Sequence, residues 1–389
     1  MDFIKIKNTR TIKRIQNSYQ WIFSNELEEL PDIDSGSLVK VIDKNNNSYG
    51  LGFYNRNSLI AIRLLNSDTF DFDFVKKRIA NAKNLRKNFF HSENSYRLIF
   101  GESDFLPGLI VDKYSDYLSM QILSAGFEKN KEIIIQALIS EMPDIKGIYS
   151  NNNVYWRKIE SLATEDKIEF GVIPDLININ ENSISYNISI TKGQKTGYFF
   201  DQRLNRQFLQ RISENKTVLD LFCNQGGFAL NAMKGNAKEC TGIDISESAV
   251  KMAQENMHLN FPNNANIHFE VADIFDFLKI TNEKWDIVVC DPPAFAKNKK
   301  SVTNAKAAYK RLNKMSLHKV KENGILLTSS CSQHITEDTF YQSILSAAQE
   351  ANKNLKLIYT GLQSPDHPIL IAMPETRYLK FFGFVVSPL

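Results

Sequence analysis

From about Thr191 onward, this chain alternates short apolar runs with helical stretches, and no other feature constrains its fold as tightly. Thr217–Phe222 (TVLDLF) reads as a short buried strand. A glycine-containing turn and a helix follow, then a second strand at Cys240–Ile245. Ser246 can cap the next helix, with Glu247 in its first turn. Further strands are expected at Ile267–Val271, Trp285–Cys290, Gly324–Ser329 and Leu355–Thr360. Strands regularly spaced by helices pack as a parallel, doubly wound α/β sheet.

Such a sheet binds ligands at the carboxyl ends of its strands. Four acidic residues fall there: Asp220, Asp244, Asp273 and Asp291. Any one of them could simply cap a helix or turn, but a set of four in register with four strands points to a ligand. Gly226 and Gly227 let backbone approach that ligand closely. Asp244 can accept hydrogen bonds from ribose hydroxyls, and Asp273 can take the exocyclic amine of adenine. The GxGxxG cradle of dinucleotide sites is missing. A nucleoside cofactor without a pyrophosphate therefore fits better than NAD.

The ordered set Asp220, Gly226-Gly227, Asp244, Asp273 and Asp291-Pro292-Pro293 resembles the motifs of class I methyltransferases. More narrowly, the chain resembles bacterial large-subunit ribosomal-RNA cytosine-5 methyltransferases that join an N-terminal PUA domain to a Rossmann-like catalytic domain. Three segments carry that resemblance: Thr191–Arg203 (TKGQKTGYFFDQR), Glu102–Asp112 (ESDFLPGLIVD) and His367-Pro…Pro374-Glu375…Tyr378-Leu-Lys380. It implies an α/β protein with a mainly parallel catalytic sheet. A small β-rich PUA domain at 1–72 and an α+β linking domain at 73–185 would precede a methyltransferase domain at 186–389. It also implies S-adenosyl-L-methionine as cofactor, held by Asp220, Phe222, Gly226, Gly227, Asp244, Ile245, Asp273 and Asp291. The loop bearing Thr196 and Phe199 is expected to fold over that cofactor. Cys223-Asn224-Gln225 departs from the family's pattern before the two glycines and puts individual loop contacts in question.

The reaction turns on Cys331, in Thr328-Ser-Ser-Cys-Ser332. Carbon 5 of cytosine is a poor nucleophile. A thiolate adding to carbon 6 makes it an enamine, with an acid or donor needed at N3. Cys331 at the end of the fifth strand and Asp291 at the end of the fourth can fill these roles, and the resembling family uses the Cys of its Ser-Cys-Ser motif as nucleophile. A cysteine at a strand end is also a common packing residue. Cys223 lines the cofactor loop, Cys240 is expected in the core, and Cys290 should face away from Asp291. Where some cytosine-5 enzymes carry a second cysteine, this chain has Ala294. Methylation of an exocyclic amine on guanine or adenine is the alternative chemistry, compatible with Asp-Pro-Pro-Ala-Phe and with no use for Cys331. A non-catalytic RNA-binding scaffold is the third reading.

Nucleic acid is suggested less by the net charge of +3 than by where the charges lie. Between Pro292 and Lys321 stand Lys297, Lys299, Lys300, Lys306, Lys310, Arg311, Lys314, Lys319 and Lys321, with no acidic residue among them. Lys297, Lys299 and Lys300 follow the base pocket directly and suit flanking phosphates. For Lys306–Lys321 a solvated helix face explains the run equally well. Lys195, Arg203, Pro292, Pro293 and Phe295 complete the expected RNA contacts, with Phe295 and Tyr198 as stacking or core residues. A target base inside a helix must be flipped out or unpaired.

Near the start, Ser37–Ile42, Tyr49–Tyr54 and Leu59–Leu65 alternate around polar turns, as in a small barrel or sandwich. Five basic residues in the first 15 suit an RNA-gripping domain. The four cysteines make no CxxC pair, so no metal site or disulfide framework is expected. With no signal-like or membrane-spanning run, a cytoplasmic setting is expected. The sequence leaves homodimer formation open.

Overall fold

The structure, a computed structural model, describes residues 1–192, 197–263, 265–296 and 298–389. The chain divides into two compact units. The first comprises 1–179, 188–200 and 365–376, and the second 180–187, 201–364 and 377–389.

In the first unit, a five-stranded sheet runs in the order Asp2–Lys5, Leu38–Ile42, Ser48–Tyr54, Ile60–Leu64, Trp21–Phe23. Val39 and Val41 alternate into its core as expected, whereas Ser48–Tyr54 and Ile60–Leu64 are buried nearly throughout. The polar stretch Asp43–Asn47 turns because the Asp43 carboxylate accepts from the backbone N–H of Asn45 and Asn47, both at 2.8 Å. A second five-stranded sheet is ordered Lys167–Gly171, Gly147–Ser150, Tyr117–Ile122, Leu109–Tyr114, Ser95–Phe100. Helices Phe72–Lys87 and Lys131–Glu141 belong with it, joined by a Lys83–Glu141 ion pair. Leu51, Phe53 and Leu65 of the first sheet share one core cluster with Val75, Ile79 and Leu98.

The second unit is built on a seven-stranded sheet: β1 (Thr217–Leu221), β2 (Glu239–Asp244), β3 (Ile267–Val271), β4 (Trp285–Cys290), β5 (Val320–Ser330), β6 (Lys353–Gly361) and β7 (Lys380–Pro388). Their order is β3-β2-β1-β4-β5-β7-β6. Five strands from β3 to β5 are parallel, and β7 runs antiparallel to both β5 and β6. The order reverses between β1 and β4, so the crevice for a ligand opens where Asp220, Asp244 and Asp291 lie. Its helices are α1 (Arg203–Ile212), α2 (Gly227–Lys234), α3 (Glu247–Asn260), α4 (Ile274–Ile280), α5 (Val302–Leu317) and α6 (Glu337–Glu350). Ser246 caps α3 as expected, its Oγ accepting from Ala249 N at 3.3 Å.

Strand β7 has no counterpart among the expected elements. Its core, Phe381-Phe-Gly-Phe-Val-Val386, is a continuous apolar run. Such a run is compatible with a strand or a buried helix turn, and nothing local specifies that it inserts antiparallel between β5 and β6. No helix among the described residues is long and apolar enough to cross a membrane.

Candidate active site

The turn after β1 is tightly wound. Phe222, Asn224 and Gly226 all adopt left-handed backbone, with φ of 63°, 47° and 82°. Two non-glycine residues in that region cost energy and mark a turn held for a purpose. At Gly226 a Cβ would also stand 2.9 Å from the Phe269 ring, so glycine is required on both counts. The turn is held from both sides. Asp244 at the end of β2 accepts from Asn224 N at 2.9 Å and, through its other oxygen, from Ser246 N at 2.9 Å. Asp220 Oδ2 accepts from Ala229 N in the first turn of α2 at 2.9 Å.

The four acidic residues differ in environment. Asp220 is not at the strand tip but one residue inside β1, and is fully buried. Burial pushes its pKa up to about 8, partly offset by the Ala229 hydrogen bond. Its Oδ1 has no hydrogen-bond partner among the described residues. Asp244 is half-buried, and beside it Ile245 is 67% exposed. Asp273 caps α4: Oδ1 accepts from Phe275 N and Asp276 N, so the capping reading holds for this residue, while Oδ2 keeps its acceptor capacity. Asp291 follows β4. Its Oδ1 accepts from Gln202 Nε2 at 2.8 Å and from the Ser329 hydroxyl. Burial raises its pKa to about 6, with the Ser329 hydrogen bond opposing.

These groups fit a nucleoside cofactor. An exposed apolar side chain beside a carboxylate suits a purine and its ribose, and a buried unpartnered oxygen sits behind a strained turn. Phe222, Gly226, Gly227, Asp244, Ile245, Asp273 and Asp291 all lie at or just beyond the carboxyl ends of β1 to β4.

Cys331 immediately follows β5, whose parallel pairing with β4 sets Thr328 against Cys290. Its sulfur lies 4.0 Å from the Pro292 carbonyl oxygen, next to Asp291. It is half-buried, whereas Cys223, Cys240 and Cys290 are buried. Cys290 packs in the sheet's core against Ser316 Oγ at 3.0 Å, and burial pushes its thiol up to about 12. Beneath Cys331, the Tyr309 hydroxyl joins Ser330 Oγ at 2.9 Å and Ser332 Oγ at 3.0 Å. Burial drives the Tyr309 phenol up to about 12, so it stays protonated.

The expected RNA contacts divide. Pro293 and Lys300 are exposed beside the site, and Pro292 is buried. Phe295 is partly buried, its ring 4.8 Å from that of Tyr309. Arg203 is a correction. It is 2% exposed and its Nε donates to Glu181 at 3.0 Å, with Arg206 on the other Glu181 oxygen at 2.7 Å. An arginine buried in a carboxylate clasp is not offered to phosphate. Asp201 accepts from Tyr378 Oη at 2.6 Å. Tyr198 and Phe199 belong to the first unit, Tyr198 buried against Phe200. Lys195, Thr196, Lys297 and the Lys299 side chain lie outside the described residues. Within the basic run, Lys310 and Lys314 both bind Glu350, Arg311 covers the Phe275 ring, and Lys321 binds Asp286. That stretch is largely a surface paired within its own unit.

Sequence reasoning missed Ser329, Tyr309 and Lys380 as parts of this site. The hydroxyls flanking Cys331 were a visible signal for the first. Tyr309 reads only as a helix core residue, and Lys380 reaches the site on the strand that was not anticipated.

A methyltransferase-domain model matches residues 212–369 and a PUA-like-domain model residues 4–67. Ribosomal RNA large subunit methyltransferase I of Aeromonas hydrophila is 36% identical over 386 residues, spanning 96% of both chains. Its namesake in Shewanella frigidimarina is 34% identical over 388 residues, spanning 97% of both. A methyltransferase solved with SAH shares the fold at TM-score 0.86 and 24% identity, covering 99% of this chain and 100% of that one. A SAM-dependent methyltransferase from Streptococcus mutans does so at 0.84 and 23%, with the same coverage.

Fold and site together define an S-adenosylmethionine-dependent methyltransferase with a Rossmann-like catalytic sheet and a PUA-like N-terminal domain. More narrowly, the chain belongs to the ribosomal RNA large subunit methyltransferase I family.

Proposed function

We propose that this chain methylates carbon 5 of a cytosine in large-subunit ribosomal RNA, with Cys331 as a covalent nucleophile. The observation that carries this reading is the placement of Cys331 at the carboxyl end of β5, 4.0 Å from the Pro292 carbonyl and beside Asp291. The printed names of the relatives supply the RNA class. The PUA-like domain, at 1–72, and the linking segment, at 73–185, serve to hold that RNA, and 186–389 carries the chemistry.

S-adenosylmethionine supplies an electrophilic methyl group when bound. Asp244 and Ile245 hold its nucleoside, with Asp273 toward the base. The Cys331 thiolate forms a bond to carbon 6 of the flipped cytosine, and the displaced π electrons make carbon 5 nucleophilic. Asp291 is held through Oδ1 by Gln202 and Ser329, which leaves Oδ2 for N3. A pKa near 6 keeps a proton available there close to neutral pH. After methyl transfer, solvent water takes the proton from carbon 5, the bond to sulfur breaks, the thiolate returns, and N3 gives its proton back to Asp291.

Replacing Cys331 with Ala is expected to abolish methylation and spare donor binding in calorimetry. Wild-type enzyme is expected to form a covalent complex with RNA containing 5-azacytosine, seen as a band stable in denaturing gels, and the Ala variant is expected not to. Full activity without Cys331 would instead establish transfer to an exocyclic amine.

A further inference from the structure

Strand β7 pairs antiparallel with β5 so that Lys380 stands directly opposite Ser330. That position is the last rung of the ladder before the chain leaves β5 at Cys331. The Lys380 ammonium is buried, with the residue 5% exposed. It donates to the carbonyl of Ser332 at 2.7 Å and to that of Tyr378 at 2.7 Å. Ser332 is the residue after Cys331, so the ammonium is tied to the backbone that carries the nucleophile.

A buried lysine without a carboxylate partner is costly. Lys380 forms no ion pair among the described residues. Both carbonyls could be satisfied by a neutral donor, so the charge needs another reason. The other titratable groups around this corner are few. Tyr309 comes from α5 and is neutral. Asp291 follows β4 and is anionic when deprotonated. Glu337 at the start of α6 and Arg377 before β7 bind each other. His334 lies three residues beyond Cys331 on the same loop. Among the described residues, Lys380 is thus the buried cation of this set, and Asp291 is a carboxylate beside Cys331 that would oppose a thiolate.

We propose that Lys380 is a positioning residue for Cys331: its buried ammonium, clasped by the Ser332 and Tyr378 carbonyls, fixes the nucleophile's loop and stabilises negative charge on the sulfur. Thiolates are favoured beside fixed cations. Burial brings Lys380 down to about 8, and the neighbouring Cys331 works in the opposite direction, favouring the charged amine. The two groups therefore support each other's charged forms. The inference rests on Cys331 being the nucleophile.

The test is the pH dependence of Cys331 alkylation by iodoacetamide, read by mass spectrometry, which requires no methyl transfer. Lys380→Met is expected to raise the apparent pKa of Cys331 by about 1–2 units. It should lower methylation at neutral pH about 10–100-fold, with recovery at higher pH. Lys380→Arg, which keeps the charge, should retain the wild-type alkylation profile. Donor binding by calorimetry confirms that each variant is folded. An unchanged alkylation profile in folded Lys380→Met, or equal loss of activity at every pH, would overturn the proposal while leaving the nucleophile reading intact. Full activity of Cys331→Ala would overturn that underlying reading instead.

Discussion

Two sets of carboxylates in this chain are put to opposite uses. In the first unit, Asp104 takes both amino groups of Arg86 at 2.5 and 2.8 Å, and Asp112 takes Arg97 at 2.5 and 2.9 Å. Glu102 accepts from Trp21 Nε1 at 2.8 Å and from Arg63 at 3.3 Å. Asp366 binds Arg97 N at 3.0 Å, while its carbonyl accepts from Arg86 at 2.8 Å. Three of these four sit in the motif Glu102–Asp112, and all are ties. At the rim of the second unit, Asp220, Asp244, Asp273 and Asp291 form no ion pair among the described residues. They are held by backbone N–H groups, a hydroxyl and an amide, and two of them are pushed up by burial. A carboxylate answered by arginine has spent its charge on structure. One oriented by neutral donors keeps acceptor capacity and a labile proton for a ligand.

The contrast can be broken most forcefully at Arg86. Arg86→Met strands the Asp104 charge in the core and should cost about 3–5 kcal/mol in denaturant unfolding, whereas losing a pair that contributed little would leave the midpoint in place. At the rim, Asp291→Asn should leave stability nearly unchanged and reduce methylation by about 10²–10⁴-fold in single-turnover assays. An activity loss matched by unfolding would erase the distinction between the two sets.

Asp220 sharpens it through pH. Its folded pKa, about 8, lies above that of an unfolded aspartate. Folding therefore takes up a proton between roughly pH 4 and 8, and its contribution worsens as pH rises through that window, levelling above it. Asp220→Asn should flatten this dependence and raise stability at pH 7 by at least about 2 kcal/mol, measured by urea titration across pH. The smallest effect is expected at Asp273. Removing its cap with Asp273→Ala should cost about 1 kcal/mol of stability and weaken donor binding, and a variant that lost the cap but bound the donor normally would reduce Asp273 to structure alone.

Much of this arrangement was legible in the chain because it rests on local signals. Ile267–Val271 and Trp285–Cys290 lie where their apolar runs predict. Ser246 caps α3, and Cys331 stands beside the segment that follows Asp291. Partner choice was not legible. The same residue type, Asp, caps a helix at 273, braces a turn at 244 and is sealed inside β1 at 220. Arg203 looked like an RNA contact until Glu181, distant in sequence, claimed it. Lys310 and Lys314 read equally well as phosphate contacts or as a solvated helix face, and Glu350 meets them both.

The sequence by itself determined the strand-and-helix rhythm, the order of the rim carboxylates and a cysteine poised after the fifth strand. Side-chain period and turn chemistry act within a few residues, so they can be read along the chain. Only the tertiary structure decided that the last strand enters antiparallel between β5 and β6. That choice depends on burying Phe381, Phe382 and Phe384 against neighbours far away in sequence. It also carries Lys380 to the side of Cys331, which no local pattern records.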